Sequence, residues 1–135
     1  MFPLKDNIPT DRLPVVTITL IVANVLLYLF FQDAASSGFF NSPDEANVVD
    51  YGAIPYEFTN PGEQCEIAGK EIACGEAGTV GPQPATFLTA FSSMFMHGGL
   101  LHLGGNMLFL WIFGNNVEDS MGRAKFLAFY LLAGL

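Results

Sequence analysis

From Leu13 to Gln32 the chain runs for 20 residues without a charge, dominated by Val, Ile, Leu and Phe. An α-helix needs roughly 20 apolar residues to cross about 30 Å of hydrocarbon, so residues 13–32 are expected to form a first membrane-spanning helix. A secretory signal would show a shorter apolar core and a small-residue cleavage site. Ala34-Ala35-Ser36 resembles the latter, but Asn24 and Tyr28 within a full-length run favour a retained helix. A second uncharged stretch, residues 77–117, is too long for one helix and is interrupted at Gly98-Gly99. In its first half Phe87, Phe91 and Phe95 recur every four residues among Thr86, Thr89, Ser92 and Ser93, the pattern of a short amphipathic helix near 86–96. That helix lies either at a membrane interface or against an external domain. The second half, residues 100–114, reads as a second span, stopped by Gly114 and Asn115-Asn116. At about 1.5 Å per residue it covers only about 21 Å, so it is expected to be short, tilted or wet at its outer end. After a turn over 115–123, residues 124–135 begin a third apolar run that stops at Leu135. About ten apolar residues cannot span a bilayer, so the sequence reads as a fragment whose continuation is missing.

Composition and charge strengthen the membrane reading and give it an orientation. Of the 135 residues, 51% are apolar and only 13% charged, against roughly 25% charged in an ordinary soluble domain. An intrinsically disordered or nucleic-acid-binding chain is excluded on that basis. The net charge of −8 lies wholly in residues 33–86, where nine acids face Lys70 alone. Residues 1–14 and 118–125 are each neutral and hold four of the five basic residues, Lys5, Arg12, Arg123 and Lys125. The positive-inside rule then makes residues 1–12 and 115–123 cytoplasmic and residues 33–99 an acidic extracytoplasmic loop.

That loop is rich in Gly, Pro, Asn, Ser and acid, and reads as turns and short strands, mostly irregular. Its two cysteines, Cys65 and Cys74, bracket Gly69-Lys70, which can turn a hairpin and set them opposite each other. A disulfide there would close a ten-residue loop, for about 2.7 kcal/mol on the entropy model, and suits an oxidising outer compartment. No His lies near the pair and the spacing is not that of a metal knuckle, so no metal and no cofactor is expected.

The chemically distinctive residues are His97, His102 and Asn106, spaced H-x4-H-x3-N at the outer end of the second span. Unpaired polar groups are costly there and commonly functional. His102 and Asn106 are four apart and share one helix face, while His97 precedes Gly98-Gly99 and can fold back over the helix start. Gly104-Gly105 lies between them and would let another helix approach. Three readings stay open from these residues alone. They tie helices together by hydrogen bonds; they are part of a metal or haem site, for which two His form an incomplete ligand set; or an imidazole and an amide converge on a developing oxyanion.

At these residues the sequence resembles the rhomboid intramembrane serine proteases. Members carry H-x4-H-x3-N at the start of the second core helix, then a Glu followed four residues later by Gly and often Arg, then a nucleophile in G-x-S-G on the fourth helix. The matching positions are His97, His102 and Asn106, then Glu118, Gly122 and Arg123, then Tyr130 and Gly134. Phe2-Pro3-Leu4-Lys5-Asp6 also looks like bacterial members. The resemblance covers about residues 85–135, with weaker support from 1–32. It implies an all-α, polytopic helical membrane fold in a bacterial inner membrane, with the lipid bilayer and transmembrane protein substrates as partners. It further implies oxyanion-hole roles for His102 and Asn106, a loop-positioning role for His97, and a polar anchor at the cytoplasmic end for Glu118. Read from its charge and position, the same Glu is a helix-terminal charge stabilising the N-terminus of the next helix.

Two features depart from the family. The Trp-Arg pair that some members carry in the loop is missing, the single Trp being Trp111 within the second span. No G-x-S-G occurs, and none of Ser36, Ser37, Ser42, Ser92, Ser93 and Ser120 has that context. The nucleophile and its general-base His are therefore expected beyond Leu135. A rhomboid-like pseudoprotease that binds transmembrane clients remains open, as does a non-enzymatic membrane module with a disulfide-clipped ectodomain.

Overall fold

A computed structural model describes residues 12–32, 45–68, 71–76 and 83–135. The Phe2-Pro3-Leu4-Lys5-Asp6 opening, nearly all of the expected cytoplasmic N-terminus, the Ala34-Ala35-Ser36 stretch and the Gly69-Lys70 turn lie outside the described residues.

The first apolar run forms α1 (Val15–Leu26), which continues into a π-turn over Leu27–Phe31. Pro14 begins α1, and no side chain at its own cap position satisfies the first turn. The segment between the first two apolar runs forms α2 (Glu45–Tyr51), α3 (Pro55–Thr59), the strands β1 (Glu63–Ala68) and β2 (Glu71–Glu76), and α4 (Thr86–Ser93). The long C-terminal run forms α5 (Leu100–Met121) and α6 (Arg123–Gly134), separated at Gly122. Gly122 has φ +82°, a conformation L side chains rarely adopt, and the chain reverses there without a Cβ penalty.

Two expectations require correction, and one further observation stands beside them. The described residues of the segment between the first two apolar helices are not mostly irregular: they form three short helices and an antiparallel hairpin, so the described fold is not purely helical. The expected turn over 115–123 is a continuous helix as far as Met121, because Asn115 and Asn116 stay within the backbone ladder and only Gly122 ends it. Finally, no helix of the described residues is long and apolar enough to cross a membrane. α1 ends after 12 residues in a 5-residue π-turn, and the 22 residues of α5 include His102, Asn106, Asn115, Asn116, Glu118 and Asp119, which dilute its hydropathy.

The burial pattern is inverted relative to a water-soluble helix. Along α1, the π-turn and the residue that closes it the enclosed positions are Thr17, Leu20, Asn24, Tyr28 and Gln32; three of these five are polar, and Tyr28 carries a hydroxyl. The exposed positions are Ile18, Val22, Leu26 and Phe30. α5 and α6 likewise expose Leu101, Phe109, Trp111, Phe113, Leu127, Phe129 and Leu132. In water the apolar stripe faces inward; here polar groups are gathered between helices and the apolar surface faces out. α1 packs against α5 and α6, with Tyr28 and Leu103 at the centre of the contact and Val25, Leu29, Leu100 and Met107 around them.

The described residues of this intervening segment are joined by a disulfide and by polar contacts. Cys65 and Cys74 are directly opposite in the hairpin and joined by a disulfide. The buried carboxylate of Glu57 accepts from the Cys65 N–H at 2.8 Å. The Gln83 amide donates to Asp50 and to the Cys65 carbonyl. α4 is also inside-out: Thr89 is buried, whereas Phe87, at 68% exposure, Leu88 and Phe91 face outward. The Phe31 and Tyr51 rings meet edge to face at 4.8 Å, joining this segment to the end of the π-turn.

Candidate functional site

The loop between α4 and α5 carries His97 into the interior. Its backbone is held by the Gln32 carboxamide, which accepts from the His97 N–H at 2.9 Å and donates to the His97 carbonyl at 3.1 Å. The His97 ring places Nδ1 3.0 Å from the Phe95 carbonyl. A carbonyl can only accept, so the neutral ring carries its proton on Nδ1. Burial pushes the His97 pKa below its ordinary value; the Phe95 carbonyl offsets part of that decrease, and the neighbouring His102 adds to it.

His102 lies in the first turn of α5 with its ring edge-to-face to His97, the centroids 5.4 Å apart. Its Nδ1 accepts from the Gly98 N–H at 3.4 Å, which leaves the proton of the neutral ring on Nε2 as a free donor. Beside it lies an open pocket of about 360 Å³, lined by Gly98, Gly99, Leu100, Leu101 and His102. Asn106 is one helical turn further on, exposed like His102 and not part of that lining. The structure thus joins His97 to His102 directly, and Asn106 to His102 only by helix register.

The expected close approach at Gly104-Gly105 is not present. A Cβ at either position would meet nothing within 4 Å among the described residues. The approach occurs instead at Gly114, where a Cβ would come within 3.1 Å of the Thr17 hydroxyl. Side-chain removal there lets α1 and α5 touch.

Glu118, Gly122 and Arg123 form a separate cluster at the other end of α5. The Glu118 carboxylate, only 3% exposed, accepts from the backbone N–H of Val16 at 3.0 Å, the N–H of Thr17 at 2.8 Å and the Thr17 hydroxyl at 2.8 Å. The helix it stabilises is therefore α1, not the following α6: α1 begins at a proline, and the unsatisfied donors of its first turn need an acceptor from elsewhere. Burial opposes ionisation of Glu118, but the Thr17 and Val16 donors, with Arg123 3.8 Å away, outweigh it and hold the carboxyl below the usual carboxylate range. Arg123 also donates to the Leu13 carbonyl at 3.3 Å.

The sequence pattern assigns Gln32, Asn24 and Tyr28 to no site; the signal it does offer is their four-residue spacing inside an apolar run. Asn24 donates to the Leu20 carbonyl and reaches the Tyr130 hydroxyl at 3.5 Å. Among the described residues no cluster of three or more His, Cys, Asp or Glu side chains is placed to hold a metal ion.

Residues 84–135 match the family model described as Rhomboid domain. Over 43 residues, or 32% of this chain, 40% of positions are identical to the presenilin-associated rhomboid-like protein, mitochondrial, of Bos taurus. The proteins of the same name from Homo sapiens and Mus musculus match to the same extent. The matched region spans 11% of the length of these curated relatives. These relatives are named as mitochondrial proteins, which does not support the expected bacterial inner membrane. No solved structure matches the chain. The matched segment holds His97, His102, Asn106 and Glu118, so the chain is similar to a rhomboid domain over that part of its length.

Proposed function

We propose that the chain is the N-terminal part of a rhomboid-like intramembrane serine protease that cleaves transmembrane protein substrates near the outer face of the bilayer. The observation that carries this reading is the state of His102. Its Nδ1 is occupied by the Gly98 N–H and its Nε2–H is left to donate beside an open pocket, with the Asn106 amide on the same helix face. A neutral donor at an open pocket, with a second neutral donor one helical turn further along the same face, suits a developing oxyanion. A Ser from elsewhere in the complete protein, activated by a His, supplies the nucleophile. The outward apolar faces of α1, α5 and α6 fit lipid contact, with residues 13–32 and 100–114 as spans, residues 33–99 external, and the N-terminus and residues 115–123 cytoplasmic. The interior polar stripe fits the way buried polar groups hold helices together in a bilayer.

In the complete protein, reconstituted with a transmembrane peptide substrate, Asn106→Ala lowers turnover about 10²–10³-fold and leaves the melting temperature unchanged, since the residue is exposed on its helix. Wild-type turnover in that variant rejects the assignment.

A second reading, a client-binding pseudoprotease, draws on the serines. Ser92 and Ser93, nearest in sequence to the His motif, both donate their hydroxyls to backbone carbonyls, those of Tyr51 and Ala90. A complete protein that binds transmembrane helices and hydrolyses none of them decides for it.

A further inference from the structure

The last turn of α1 is a π-turn, and Gln32 closes it with a bond from its N–H to the Leu27 carbonyl at 3.0 Å. The enclosed polar positions Asn24, Tyr28 and Gln32 are spaced by four. On an ordinary α-helix, at about 100° per residue, two such steps drift about 80° off a straight line. Widening the turn to an i to i−5 bond absorbs the extra residue and keeps Gln32 on the inward line. π-turns of this kind concentrate at functional sites. The Gln32 side chain is 1% exposed and spends both ends of its carboxamide on His97, across 65 residues of sequence.

The second of those bonds reaches further than His97. The His97 carbonyl and the Gly98 N–H belong to one planar peptide unit, and trans geometry points them in opposite directions. Gln32 holds the carbonyl end at 3.1 Å, and the N–H end meets His102 Nδ1 at 3.4 Å. Rotation of that plane would remove the N–H from His102 and free its ring to take either tautomer.

We propose that Gln32, presented by the π-turn, is a positioning residue that fixes the His97–Gly98 peptide plane and thereby selects the Nε2–H tautomer of His102. The proposal rests on the protease reading only for its kinetic consequence; the tautomer is a property of the fold itself. Gln32 touches neither pocket nor substrate, and acts through one peptide unit.

The test uses the complete protein with 15N-labelled histidine in bicelles, at about pH 8 where imidazoles are neutral. In the wild type His102 shows one tautomer, with Nδ1 unprotonated. Gln32→Met removes both bonds, and the expected result is a mixture of tautomers at His102 with His97 amide exchange about tenfold faster. Gln32→Glu, which in its ionised form retains an acceptor for the His97 N–H but no donor for its carbonyl, guards against a failure to fold. It is expected to give the tautomer mixture with little change in amide exchange. In turnover assays both variants lower kcat about tenfold or more while KM stays within about twofold, since substrate contacts are untouched. A single, unchanged His102 tautomer in either folded variant overturns the proposal. If the wild type cleaves no transmembrane peptide while the tautomer still follows Gln32, the protease reading fails and the positioning role stands. If the wild type cleaves and the tautomer ignores Gln32, the positioning role fails and the protease reading stands.

Discussion

Glu118→Ala removes the acceptor for three donors at the start of α1: the N–H groups of Val16 and Thr17 and the Thr17 hydroxyl, at 2.8–3.0 Å. Hydrogen bonds to a charged group contribute about 1.5–3 kcal/mol each and are not additive, and a buried donor left unpaired carries its own desolvation cost. The carboxylate also sits where the helix macrodipole is positive, which adds about 0.5 kcal/mol. Arg123 contributes little, because its side chain is 57% exposed and 3.8 Å away. The expected loss is about 3–5 kcal/mol for Glu118→Ala. Glu118→Gln, which keeps the shape and one acceptor oxygen, is expected to lose about half as much. Denaturation in mixed micelles, followed by far-UV circular dichroism and by the fluorescence of the single Trp, Trp111, measures both. Amide exchange at Val16 and Thr17 reports where the loss falls. The pH dependence has a definite sign. A carboxyl held below its ordinary value stabilises fully above the unfolded-chain pKa of about 4.3, and that contribution is lost as the pH falls through the folded value. Glu118→Gln should flatten this acid limb. A Glu118→Ala protein within about 1 kcal/mol of the wild type, with Val16 and Thr17 still protected, would refute the idea that a distant carboxylate caps α1.

Gly114→Ala places a methyl within 3.1 Å of Thr17 and Leu110, and should destabilise by about 1–3 kcal/mol. Gly104→Ala and Gly105→Ala meet nothing and should each stabilise this chain by up to about 1 kcal/mol through helix propensity; equal effects at all three sites would contradict the packing. NMR titration of the His97 ring should give a midpoint below about 6.5, because burial disfavours its charged form. Stability attributable to His97 is then complete above that unfolded-chain value and declines as the pH falls toward the folded one; a midpoint at or above it contradicts the role of burial. Reducing the Cys65–Cys74 disulfide should cost the hairpin segment about 2.7 kcal/mol, read as faster exchange across Glu63–Glu76 with α5 unaffected; protection unchanged on reduction would show that Glu57 and Gln83 suffice.

The legible parts of this chain are those governed by one-dimensional rules. Apolar run length locates the starts of α1, α5 and α6 to within a few residues but not the end of α5, and the Phe87, Phe91 repeat locates α4. The boundary at 115–123 is misleading in sequence because Gly114 and two asparagines are turn formers by propensity. Within a packed helix Gly114 instead serves as the point where Thr17 approaches. The acidic segment misleads for a related reason: Glu57, Gln64 and Gln83 look like solvated loop residues, and only their hydrogen bonds to Cys65 and Pro84 show that they organise short helices and a hairpin.

The sequence by itself determined that this chain carries long uncharged apolar segments, an acidic loop with a paired-cysteine hairpin, and an H-x4-H-x3-N motif on a helix, because hydropathy, charge and spacing are properties of neighbours along the chain. The tertiary structure alone decided which groups meet across 65 to 102 residues: Gln32 on His97, and Glu118 on the first turn of α1. Through the first of these it also decided how the Gly98 N–H is presented to His102. Hydrogen bonds depend on distances of about 3 Å and on direction, and no pattern read along one dimension specifies those for residues a hundred positions apart.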